Sequence, residues 1–132
     1  MLHYPVKILI AFGETISGND ELFQWLLSNG YPELAALSKA IRGSEDAFNW
    51  LIKNGYVQYA ALDSAIDDNV RAYHWLNANK YFFLAVLSDA CRNQQEAIEW
   101  LTRNDLKIFI LIAEKIRFFR NNQVFDHHKI HF

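Results

Sequence analysis

The chain has 132 residues, 52% of them apolar, with only two prolines and a net charge of −2. That composition fits one ordered domain and excludes a disordered tail. Charges of both signs are interspersed without a basic block, which argues against a nucleic-acid partner and against an anionic membrane surface.

The first apolar run, Ile8 to Phe12, follows Lys7 and lacks a small-residue cleavage site, so it reads as a helix of the domain and not as a signal peptide. The reducing cytoplasm is the expected location. From there one pattern dominates the chain: Trp25, Trp50, Trp75 and Trp100 recur every 25 residues. A fixed period of this size marks stacked supersecondary units. The units run over about 6–30, 31–55, 56–80 and 81–105, with a degenerate C-terminal cap at 106–132, all within a single domain spanning 1–132.

Each unit holds two helix patterns. In the first, Leu34, Ala35, Leu37 and Ile41 fall at helical spacing, as do Tyr59, Ala60, Leu62 and Ile66 one period later. Pro32 sits at the start, where its missing N–H costs nothing. Gly43, Asp68 and Asn93 mark the break. Asn19, Ser44 and Asn69 are placed to cap the second helix, whose stripe is Ala47, Phe48, Trp50 and Leu51. Asn29, Asn54, Asn79 and Asn104 close the units, as C-caps near the left-handed region or as side-chain bonds between turns. The pattern predicts helix pairs at 32–42/44–54, 57–67/69–79 and 82–92/94–104. The tryptophans are expected as buried wedges between units. Cys91, the only cysteine, occupies the place of Ile41 and Ile66 and reads as a small buried hydrophobe, with no internal disulfide possible.

The fold class that follows is all-α: a right-handed α-α superhelix, or solenoid, of about four to five antiparallel helix pairs, roughly 40–50 Å long at ordinary interhelical spacing. Gly43 to Gly55, with its Leu51-Ile52 pair, resembles the second helix of an ankyrin repeat, and Pro32, Leu34, Ala35 and Ala36 are similar to the opening of that family's first helix. The likeness is to the short α-helical repeat class in general, because Gly55 runs straight into Tyr56 with no hairpin finger between units. What the resemblance implies is protein binding on a curved surface.

Leu106 to Phe119 is apolar on most sides, yet too short and too charged to span a membrane. One side is expected to pack on the Trp100 unit. Val124, Phe125 and Ile130 are expected to fold back over Ile110, Ile112 and Phe118 as a cap, a monomer being preferred to a homodimer joined through the same patch. His127 and His131 share a helical spacing with His128 beside them, but no carboxylate helix partners them, so they read as a polar terminus and not as a metal site. No phosphate loop, nucleophile elbow or zinc spacing occurs. The expected function is a non-enzymatic protein–protein interaction module without metal or cofactor. Its candidate surface is Val57, Phe82 and Phe83, drawn from positions that vary between units and are expected to face solvent, among them Pro32, Glu33 and Gln58. The alternative is a small-ligand-binding or enzymatic domain using a groove of the stack.

Overall fold

A computed structural model describes the backbone of residues 1–130 and the side chains of residues 1–122. Nine helices and no strand occur among the described residues. They are α1 (Val6–Ile16), α2 (Asp20–Ser28), α3 (Pro32–Ile41), α4 (Glu45–Lys53), α5 (Val57–Ile66), α6 (Val70–Ala78), α7 (Phe82–Cys91), α8 (Gln95–Arg103) and α9 (Lys107–Ile130). The expected pairs are thus present to within a residue at either end.

The local chemistry explains the boundaries. Side-chain oxygens of Asn19, Ser44 and Asn69 accept the backbone N–H of Leu22, Ala47 and Ala72 at 3.0, 3.1 and 3.0 Å, satisfying donors that the first turn leaves free. At the other end, the amides of Asn29, Asn54, Asn79 and Asn104 each donate to the carbonyl of the tryptophan four residues earlier, at 2.8 Å in all four. These asparagines stay on the right-handed side of the map. The left-handed step falls one residue later, at Gly30, Gly55, Lys80 and Asp105. The following N–H groups, of Tyr31, Tyr56, Tyr81 and Leu106, then return to the carbonyls of Leu26, Leu51, Leu76 and Leu101. This is a Schellman closure repeated four times.

Helices of 9 to 11 residues are too short to persist alone in water, so packing must hold them. The odd-numbered helices pack in sequence, α1 on α3, α3 on α5, α5 on α7 and α7 on α9. Then α9 packs back on α1. The stack of helix pairs thus returns on itself: the inner helices form a closed ring, with α2, α4, α6 and α8 outside it. Phe12, Leu37, Leu62, Leu87 and Ile112, one period apart, are each at most 1% exposed. Across the closing seam Lys115 Nζ meets Glu14 Oε1 at 3.2 Å. Gly13 lies in the same seam, where a Cβ would stand 3.2 Å from Lys115 Cδ.

The closed ring also revises the C-terminal cap. The outer side of α9 is covered by α1, and α9 continues unbroken to Ile130, so the chain does not reverse after Phe119. The side chains of Val124, Phe125 and Ile130, and of His127, His128 and His131, lie outside the described residues. The described part of the extension crosses one end of the ring. Arg117 donates to the carbonyl of Ala90 at the end of α7, Arg120 pairs with Asp63 and Asp67, and the Arg42 guanidinium sits 4.6 Å above the Phe119 ring.

The tryptophan expectation also fails in part. Trp25 and Trp100 are 42% and 36% exposed, and Trp50 and Trp75 are only half-buried. The wedge is the next residue: Leu26, Leu51, Leu76 and Leu101 are all 0% exposed. A residue advance turns the side chain by about 100°, which is enough to exchange the core for the flank. Three of the tryptophans instead lie against the start of the following unit, while Trp100 meets Phe83 of its own unit at 6.4 Å. Trp25, Trp50 and Trp75 stack on Tyr31, Tyr56 and Tyr81 at 6.4, 6.0 and 5.8 Å with planes within 12° of parallel.

Truncating the wedge must then cost more than truncating its aromatic neighbour. Leu76→Ala is expected to lose about 2–5 kcal/mol, as cavity-forming core substitutions do, and Trp75→Ala less. Urea midpoints of the two variants against the parent give the order, and a larger loss for Trp75→Ala would reverse this assignment.

Candidate interaction surface

Where the outer helices splay, the ring leaves apolar side chains in the open. One groove of about 320 Å³ lies between α2 and α4, with Phe23 and Leu27 on one wall, Ala36 at the floor and Ala47 and Trp50 opposite. A second, of about 280 Å³, repeats it one period on, with Phe48 and Ile52, Ala61, and Ala72 and Trp75 in the same places. The small floor residues are what open these grooves, because a larger side chain at Ala36 or Ala61 would fill them. Leu27 and Ile52, on the rims, are 42% and 45% exposed. Lys39 and Asp46 edge the first groove and Arg71 the second. In the third period the equivalents are Tyr73, Val86 and Asp89, and the Tyr73 hydroxyl donates to Asp89 Oδ2 at 2.9 Å. That bond ties wall to floor and ends the series.

The residues singled out from the sequence do not come together. Val57 lines the second groove. Phe82, 59% exposed, belongs to a different cavity at the end of the ring. Phe83 turns inward and meets Phe109 edge-on at 4.7 Å. Glu33, expected to face solvent, is 7% exposed. It stands on the inner helix where Ile8, Gln58, Phe83 and Ile108 stand in other units, and such a mixture of residue types resembles surface variation in the sequence. The recurrence of Ala36 and Ala61 beside Trp50 and Trp75 was the available signal for the grooves.

Titratable groups in the interior offer little chemistry. Burial pushes the Cys91 thiol up to about 12, against a smaller opposing pull from Arg117, so the thiolate needed for nucleophilic work does not form near neutrality. Among the described residues no three His, Cys, Asp or Glu side chains are grouped to hold a metal ion. No described helix is long and apolar enough to cross a membrane. No protein-family model, curated protein or solved structure matches the chain.

One interior carboxylate does titrate in an accessible range. Asp63, on the ring face of α5, is raised to about 6 by burial, with the charge and hydrogen bond of Arg120 acting in the opposite direction. Arg120 also serves Asp67, so one guanidinium answers two carboxylates. The folded chain therefore holds the Asp63 proton more tightly than the unfolded chain does. Its contribution to stability is complete below about pH 4 and is lost as pH rises through about 6. Asp63→Asn should remove that part of the pH dependence. Urea midpoints collected from pH 4 to 7 should fall less steeply in the variant than in the parent, and identical slopes would contradict the assignment.

Proposed function

We propose that the chain is a non-enzymatic protein-interaction module whose working surface is the pair of equivalent grooves on the outside of the ring. A right-handed winding of four to five units and a cytoplasmic setting belong to this reading, as does the short-helical-repeat resemblance. The observation that supports it is the repetition of the groove itself. Two apolar clefts one period apart share the same wall, floor and opposing tryptophan. Neighbouring packed helices lie about 8–10 Å apart. A partner helix presents apolar side chains at i and i+7 about 10.5 Å apart, so an amphipathic helix crossing α4 can seat one side chain in each groove. The mixed charges at the rims, Lys39, Asp46 and Arg71, suit a polar outer face on that helix.

Leu27→Asp and Ile52→Asp place charge in the grooves at positions already exposed, where the effect on stability should stay within about 0.5 kcal/mol. Proximity labelling in the native cell, with parent and double variant expressed equally, is expected to show a set of partners lost from the variant while its circular dichroism and thermal midpoint stay unchanged. An identical partner set for both proteins would remove the grooves from consideration.

A further inference from the structure

The end of the ring opposite the α9 extension is formed by the N-termini of α3, α5 and α7, and the segment Met1–Tyr4 lies across it. Tyr4 meets the Tyr31 ring edge-on at 6.0 Å, and its hydroxyl lies 3.3 Å from that of Tyr59. Tyr59 in turn lies parallel to Tyr56 at 6.1 Å. These four rings and Glu33 line a cavity of about 440 Å³, within the range of small-ligand sites. Glu33 is 7% exposed, and among the described residues it has neither an ion pair nor a side-chain hydrogen bond. Burial raises the hydroxyl pKa of Tyr4 and of Tyr59, and in both the Glu33 charge adds to the rise.

Glu33 lines this cavity without a protein partner among the described residues, and the other units hold Ile8, Gln58, Phe83 and Ile108 at its place. The fold does not require an acid here. We propose that this cavity binds an organic ammonium group, its charge set against Glu33 and its alkyl surface against the rings of Tyr4, Tyr31, Tyr56 and Tyr59. Each alternative meets an obstacle. An anion would be repelled by Glu33, and a neutral ligand would leave it uncompensated. A divalent metal ion asks for several oxygen ligands, often more than one of them a carboxylate, and the cavity supplies one. An alkylammonium suits both parts of the wall, because aromatic rings attract a weakly hydrated cation through their quadrupoles. His3, whose ring lies 4.1 Å from that of Tyr4 with the planes tilted by 36°, lines the same cavity, while Lys80 lines the neighbouring one.

Titration calorimetry on the full chain tests this with choline and n-butylammonium as probes and 3,3-dimethyl-1-butanol as the neutral isostere of choline. Saturable one-to-one binding of at least one cation is expected, with the isostere weaker than choline by about tenfold or more. Tighter choline binding points to a quaternary or methylated amine, and tighter butylammonium binding to an unmodified lysine-like amine. Glu33→Gln, which keeps the shape and removes the charge, should weaken the preferred cation about tenfold and leave the thermal midpoint equal or higher. Tyr31→Leu should weaken it as well. If Glu33→Gln does not fold, the proposal is wrong, since the charge is then structural. It is equally overturned if neither cation binds, if the isostere binds as well as choline, or if Glu33→Gln binds like the parent. Leu27→Asp and Ile52→Asp leave this binding unchanged, so the result is independent of the outer grooves.

Discussion

The packing of α1 against α9 allows a row of short helices to exist without an uncovered end. In an open array the first and last units each present an apolar flank, and a polar outer face is normally needed there. Here neither flank is polar. Phe12 and Ile16 on α1, and Phe109, Ile112 and Ile116 on α9, are at most 1% exposed, which a free end could not achieve. Burying such side chains contributes roughly 1.5–3 kcal/mol each, far more than the exposed ion pair of Glu14 and Lys115 at the edge of the seam can add. The apolar contact drives the closure.

Once the ring is closed, its two ends and its outside become different surfaces. The outside carries the unit pattern, so the first groove is repeated one period later, until the Tyr73–Asp89 bond ends the series. The ends belong to the inner helices, and there the chain uses residues that break the pattern. Asp63 replaces the Ser38 and Ser88 of equivalent positions and meets Arg120 at one end. Glu33 stands where other units have Ile8, Gln58, Phe83 and Ile108, and it lines the tyrosine cavity at the other end. These two acidic departures from the repeat fall at the two mouths of the ring, whereas the buried leucines Leu26, Leu51, Leu76 and Leu101 that hold neighbouring units together do not vary.

The helix pairs, their caps and their period were legible from the sequence because each depends on contacts within about five residues: Ser44 to Ala47, Asn54 to Trp50, Tyr56 to Leu51. The identity of the wedge was not, because Trp50 and Leu51 are both apolar and both periodic, and only the crossing angle between helices decides which faces inward. Closure was hidden for a related reason. The all-round apolar character of Leu106–Phe119 announced a second covering surface, but a helix 100 residues earlier in the chain leaves no local trace of being that cover. Val57, Phe82 and Phe83 stand out in the sequence by variation between units and, for the two phenylalanines, because adjacent aromatics cannot both face inward; Phe82 is indeed exposed, but neither signal separates an outer groove from a ring mouth.

Closure can be tested on the unaltered chain by a zero-length carbodiimide cross-link. Glu14 and Lys115 stand 3.2 Å apart, within reach of direct amide formation. In dilute protein, mixed from ordinary and nitrogen-15-labelled chains, peptide mass spectrometry should find the Glu14–Lys115 amide within single chains and not between differently labelled ones. Absence of that product while the Asp20–Lys39 pair, 3.8 Å apart, is cross-linked, or its appearance only between chains, would mean that the array is open and that the ring described here does not form in solution.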